Sequence, residues 1–313
     1  MTHHEHDPTT IVHPAEFEQL FERCSNWGRW GAEDRLGTVN LITPEITAAA
    51  ARLVETGTSV SCARPIITAA TVDTPDPAEH RMTKLPNNPT GEVGGALDFL
   101  GVACHGEAQS HIDALCHIAY RGMLYNGVPA TTVTDGGAAE EDLDQVATGI
   151  SSRGVLLDVA AAQGKRWLES GELIYAEDLE AAERAAGLSV RAGDVVLLRT
   201  GQALRRETEG PWDSAKHKAG LHPRAMPWFK DHDVAALGFD GDGDAAPDPV
   251  PHIHVPIHVL GINATGLHTF DGLDLEALAA TCRSRARWEF FFVALPLRLR
   301  GGTGSLINPV AFF

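Results

Sequence analysis

Five side chains with metal-binding or acid–base chemistry, His105, Glu107, His111, Asp113 and His117, fall within one short stretch of the chain. Imidazole nitrogen and carboxylate oxygen together suit zinc, manganese or iron, and no CxxC pair is present to suggest a structural thiolate site. His111 and Asp113 are two residues apart, so an extended segment points both to one face. A strand continued to His117 would carry that ring roughly 20 Å past His111, too far for the two to share an ion or a substrate atom. The chain must therefore bend after Asp113. A helical turn through Ala114, Leu115 and Cys116 would make Asp113 and His117 neighbours about 6 Å apart at Cβ. The competing reading keeps His111 and His117 as buried core histidines and makes Asp113 a helix N-cap.

His252, His254 and His258 form a second concentration, spaced so that an extended segment would show all three on one face. Pro256 argues against a regular central strand there. Asp240, Asp242 and Asp244 alternate with glycine like a calcium loop, but Ala245 stands where the loop needs Gly and Pro251 where it needs Glu. The run reads as a turn after a strand, with Asp240 placed to touch a substrate pocket. Trp27 and Trp30, flanked by glycines, fit neither helix nor strand and belong to an ordered loop. Their rings either anchor that loop in the core or line a pocket for a flat apolar substrate. Cys116 adjoins the first cluster and reads as packing, and Gly301 to Ser305 as a flexible loop.

The elements that must hold these groups are legible from periodicity. Pro14 to Arg23 has the apolar spacing of an amphipathic helix, and Thr43 followed by Pro44 starts another that should run to about Glu55. Tyr175 to Ala186 reads as a helix closed by Gly187. Strands are expected over 59–64, 96–103, 153–160, 194–200, 234–239 and 289–296, with an Asn126-Gly127 turn and a long Pro-rich connection over 75–89. Strand, helix, strand order argues for an α/β protein. Without a compositional break, residues 14–313 make one domain behind a flexible tail of residues 1–13.

A net charge of −17, from 42 acidic against 25 basic residues, excludes nucleic acid and anionic membrane surfaces as natural partners. The five cysteines lack framework spacing and read as free thiols in a reducing compartment. The first residues lack the basic and apolar regions of a signal peptide, so a cytoplasmic location is expected.

Ser110-His111-Ile112-Asp113-Ala114-Leu115-Cys116-His117 resembles the signature Thr-His-x-Asp-x-Pro-x-His of the cyclase family, which includes bacterial kynurenine formamidase, isatin hydrolase and a dienelactone hydrolase. Ser110 and Leu115 depart from it, and the family's first ligand, a His four residues before the second, falls on Glu107. His105 lies six before. Trp27-Gly28, Tyr125-Asn126-Gly127, Pro256-Ile257-His258, Asp271-Gly272-Leu273-Asp274-Leu275 and Thr303-Gly304-Ser305 are similar to further family segments. Asp271 stands where Glu is expected.

The resemblance implies a swivelling β/β/α fold with a mixed sheet, and a divalent metal, Zn or Mn. The metal would be held by His111, Asp113, His117 and His258 with His105 or Glu107, while Asp271 is a ligand or orients His258. It further implies that His117 and His258 are catalytic and that Trp27, Trp30 and Tyr125 form the substrate pocket. The implied activity is hydrolysis of a C–N or C–O bond in a small aromatic or cyclic substrate by a homodimer or homotetramer, with arylformamidase, an enzyme of tryptophan catabolism, ranked first. A non-catalytic metal-binding protein and a true cyclase or dehydratase are the alternatives.

Overall fold

Val195 to Leu198 is apolar at every position, as is Val155 to Leu157, so both segments can bury two faces of a sheet. In the computed structural model, which describes residues 10–87, 91, 93–106, 109–251 and 253–313, they are central strands. In chain order the strands of three residues or more are β1 (Ser59–Ser61), β2 (Glu79–Lys84), β3 (Leu97–Gly101), β4 (His111–Asp113), β5 (Ile150–Asp158) and β6 (Val195–Arg199). There follow β7 (Ala236–Phe239), β8 (His268–Asp271), β9 (Glu289–Ala294), β10 (Gly304–Leu306) and β11 (Val310–Phe312). Nine of them form one sheet in the order β1-β11-β9-β5-β6-β7-β8-β4-β10. Strands β5 to β8 are mutually parallel and the flanking pairs antiparallel, so the sheet is mixed.

Successive residues of the inner strands feed two separate cores. Val155, Leu157, Val196 and Leu198 pack on one face, while Leu156, Val195, Leu197 and Phe270 pack on the other, as the two-residue period of a strand requires. The helices expected from periodicity are α1 (Pro14–Cys24), α2 (Pro44–Ala51) and α3 (Ala176–Ala186), joined by α4 (Gln202–Glu209) and α5 (Glu276–Arg285). Thr43 Oγ1 accepts from Ile46 N at 3.3 Å, the N-cap bond its position foretells. Gly187 ends α3 at φ 65°.

Four expectations need correction. Helix α2 stops at Ala51, short of Glu55, because Arg52, Leu53 and Val54 donate to the carbonyls three residues back, of Ala49, Ala50 and Ala51, and tighten the chain into turns. Gly304 and Ser305 are not loop: β10 pairs with β4, Gly304 opposite Asp113, and becomes a sheet edge. Strand β2 was hidden because Glu79-His80-Arg81-Met82-Thr83-Lys84 lacks apolar alternation; it pairs with β3 in a hairpin outside the main sheet. Finally, the end of the expected tail is packed, with Val12 buried and its N–H donated to Pro249 O at 2.9 Å. Residues 1–9 of that tail lie outside the described residues. Among the described residues no helix is long and apolar enough to cross a membrane.

Candidate metal centre

His111 and Asp113 lie on β4 and point to the same side, and the chain then turns through a 3-10 helix over Leu115–His117, the bend their spacing demands. Strand β8 lies antiparallel to β4 with Asp271 opposite His111, which brings a second carboxylate to the first. His258 arrives from the short helical segment Pro256–His258, which runs into a fully buried π-helix over Val259–Thr265. The extended segment expected around it does not form: His254 is exposed while His258 is buried, so the histidines do not share a face. His252 lies outside the described residues, as does Glu107, one of the two candidates for the first ligand. His105, the other, points into the cluster.

Each of three histidines is anchored through one ring nitrogen and presents the other. His111 Nδ1 donates to Gln109 O at 2.9 Å, which leaves Nε2 at 3.6 Å from Asp113 Oδ1 and 3.9 Å from Asp271 Oδ2. His258 Nδ1 donates to Asp244 Oδ2 at 2.5 Å, which directs Nε2 to Asp271 Oδ2 at 3.0 Å and Asp113 Oδ2 at 3.6 Å. His105 Nε2 is 3.1 Å from Thr303 Oγ1, and its Nδ1 is 2.9 Å from Asp113 Oδ1 without the alignment of a hydrogen bond. The other Asp113 oxygen accepts from Thr269 Oγ1 at 3.0 Å, and its carbonyl accepts from His268 Nδ1 at 3.0 Å. Anchoring one nitrogen fixes the tautomer and aims the lone pair of the other, the arrangement that metal-ligating histidines use.

The donor set fits a divalent cation. Asp113 Oδ1, Asp271 Oδ1 and His105 Nδ1 are buried and have no hydrogen-bond partner, a cost that an ion would remove. Two triads, His105/His111/Asp113 and Asp113/His258/Asp271, each have ligand atoms within 4.8 Å of one another, and they share Asp113. Nitrogen and oxygen donors of this kind suit zinc or manganese. Electrostatics agree. Burial alone would discharge His258, but Asp113, Asp244 and Asp271 reverse that and hold its pKa well above the ordinary value. Burial likewise opposes a charge on His105, yet Asp113 raises it to about 10. Burial pushes the Asp271 carboxyl up to about 7 against the pull of His258, whereas Asp113 is held well below the usual range by His105 and His258. These carboxylates draw positive charge into a buried site.

His117 joins neither triad. It stacks on His105 with centroids 4.0 Å apart and planes 4° apart, and burial lowers its pKa to about 4. With His105, His111, Asp113, His258 and Asp271 it lines a cavity of about 170 Å³ whose remaining wall is Gly106, Ile118, Asp242 and Val255. Trp27, Trp30 and Tyr125 are elsewhere. Trp27 Nε1 donates to Asn263 O at 2.7 Å, Trp30 stacks under Arg29, and Tyr125 is fully buried with its hydroxyl 3.1 Å from Asp34 Oδ2. They anchor the loop, so the aromatic pocket expected of them is not the cavity wall. Asp240 is also outside it: its carboxylate accepts the N–H groups of Thr200, Gly201 and Gln202 and caps the start of α4. Cys116 is buried, its thiol pushed up to about 12 by desolvation, which fits packing.

Asp244, Thr269 and His268 were missed as supports of the ligands, whereas Thr303 lies in a segment that the family resemblance had marked. Alternation of Asp with Gly was the only local sign of Asp244, which also accepts from Ile257 N at 2.7 Å. Gly304 has a similar role by omission. A Cβ there would sit 2.4 Å from His105 Cε1 and 2.8 Å from Ile112 O, so only glycine lets His105 reach Asp113.

The model of the family described as "Putative cyclase" matches residues 29–243. A crystal structure described as a novel cyclase is 31% identical, with a TM-score of 0.81 over 92% of this chain and 99% of that one. Isatin hydrolase A from Ralstonia solanacearum is 19% identical, with a TM-score of 0.57 over 86% and 95%. A structure described as a predicted metal-dependent hydrolase from Bacillus stearothermophilus is 17% identical, with a TM-score of 0.52 over 82% and 98%. These last two share the fold. No curated protein matches the chain.

Proposed function

The chain belongs to the cyclase family, and we propose that it is a metal-dependent hydrolase that opens a C–N or C–O bond of a small aromatic or cyclic substrate, with aryl formamides ranked first. The observation that carries this reading is the set of three anchored imidazoles facing two carboxylates with orphaned oxygens. His105, His111, Asp113, His258 and Asp271 would hold Zn²⁺ or Mn²⁺. Such an ion supplies Lewis acidity toward the scissile carbonyl and acidifies a water. His117, at the cavity wall and outside both triads, is the chain's own group for taking a proton from that water and delivering it to the leaving atom. The cavity of about 170 Å³ is close to the ~150 Å³ that encloses one benzene ring, which supports a small flat substrate.

The test is metal analysis joined to hydrolysis of formyl-kynurenine, isatin and lactones. Turnover lost on chelation and restored by Zn²⁺ or Mn²⁺, with a 10²- to 10⁴-fold lower kcat in His117→Ala at unchanged metal content, is the expected result. Bound metal with no turnover would leave a metal-binding protein without catalysis. A product of unchanged mass, or one lighter by a water, would mark a cyclase or dehydratase, since hydrolysis adds water.

The same reading takes the protein as a cytoplasmic homodimer, its cysteines unpaired. Leu97, Phe99 and Leu100 of the hairpin and Leu295, Leu297 and Leu299 beside the open edge of β10 are each 40% to 61% exposed. At roughly 100 Å² apiece they approach the ~800 Å² per partner of a stable interface, and a second copy related by a two-fold axis would cover both sets. Light scattering should give twice the chain mass, and Phe99→Asp should give a monomer.

A further inference from the structure

We propose that Val255 is a specificity-determining residue, the stiff apolar wall that restricts the substrate to a planar, unsaturated ring; this rests on the hydrolase reading above. Apart from Ile118 and Val255, every residue that lines the cavity beside the ligand cluster is a histidine, an aspartate or a glycine. Those two therefore supply the carbon surface on which a ring can pack. Ile118 also packs on the buried group Leu115, Tyr125 and Ile262. Val255 is half-buried yet packs on no apolar core among the described residues, which leaves the cavity as the surface its side chain faces.

The backbone is strained at this point of the wall. Val255 stands at φ 48° and ψ 57°, a left-handed conformation that a β-branched residue rarely adopts, and Pro256 after it restricts the choice further. Glycine would take the same backbone without strain, so the valine is explained by what its side chain does in the cavity. Such an outlier persists only where its surroundings hold it. Here Val255 O accepts from Val259 N at 3.0 Å, and Ile118 O accepts from Asn263 Nδ2 at 3.0 Å. Val259 and Asn263 belong to the one buried π-helix that continues from His258, so both apolar wall residues and that imidazole share a single rigid support. Each wall residue is also stiff about χ1. The wall does not adjust to the ligand, and a cavity of about 170 Å³ leaves little slack around the ~150 Å³ that encloses one benzene ring. A planar ring fits; a saturated ring, thickened by its axial hydrogens, runs into Val255.

Benzoate and cyclohexanecarboxylate, two carboxylates whose six-carbon rings differ in thickness, are the probes, titrated by calorimetry into the Zn²⁺-loaded protein. The wild type should bind benzoate about tenfold more tightly. Val255→Gly and Val255→Ala should bring the ratio toward one at unchanged metal content, chiefly by tighter binding of cyclohexanecarboxylate. Val255→Gly should also unfold at a higher temperature than the wild type, because glycine relaxes the left-handed backbone. A valine that served packing alone would give a lower unfolding temperature and an unchanged ratio, which would overturn the assignment. Equal binding or no binding of the two carboxylates by the wild type would overturn it too. Formanilide and N-cyclohexylformamide separate this inference from the hydrolase reading. If neither is hydrolysed while the carboxylate preference is present and depends on Val255, the hydrolase reading fails and Val255 keeps its role. If formanilide is hydrolysed and the preference is absent, the role of Val255 fails and the hydrolase reading stands.

Discussion

Glu141→Gln should stabilise the protein at pH 8 and leave it almost unchanged at pH 5. The Glu141 carboxyl is 1% exposed and neither oxygen has a hydrogen-bond partner. Burial pushes its pKa from 4.5 to about 8, with Arg35 pulling the other way and Glu140 and Asp34 adding to the rise. The folded state therefore keeps the proton to a higher pH than the unfolded chain does. That contribution to stability is fully present below about pH 4.5, declines as pH rises and is lost by about pH 8. Three to four pKa units at ~1.4 kcal/mol each correspond to about 4 to 5 kcal/mol.

The residue also sits where the loss would reach the metal centre. Its carbonyl accepts from Cys116 N at 3.2 Å, Asp142 Oδ2 accepts from Gly301 N at 2.6 Å, and Leu143 N donates to Gly302 O at 3.0 Å, so this segment braces the loop that carries Thr303. Urea unfolding of wild type and variant at each pH from 5 to 9 is the assay. The stability difference should open by about 1.4 kcal/mol per pH unit between 5 and 8 and then level off. Parallel stability profiles would refute the assignment of a neutral, buried Glu141.

Gly304→Ala should displace the His105 ring, which its Cβ would meet at 2.4 Å, and weaken Zn²⁺ binding at least about tenfold by calorimetry; unchanged affinity would place His105 outside the ligand set. Asp244→Asn should free the His258 tautomer and cost about 10- to 100-fold in metal affinity, read by competition with a chelating dye. Because His105 and His258 are drawn toward their protonated forms by Asp113, Asp244 and Asp271, metal binding should release protons and weaken as pH falls; calorimetry in buffers of different ionisation enthalpy counts them.

The sequence by itself determined what local geometry controls. Two-residue spacing of His111 and Asp113 demanded one strand face, and the distance to His117 demanded the bend that the 3-10 turn supplies. Apolar runs marked the central strands, and caps such as Thr43 and Gly187 marked helix ends, because each is decided within a few residues. The family signature added the expectation of a distal His258. What only the tertiary structure decided are the pairings between distant segments. Asp271 becomes a ligand candidate through its register with His111, Thr303 and Gly304 through the pairing of β10 with β4, and Asp244 through a helical turn at Pro256 that Val255 enters at φ 48°. The tryptophan loop shows the same limit from the other side. Its composition marked an ordered loop, but where Trp27 docks depends on Asn263, more than two hundred residues away in the chain.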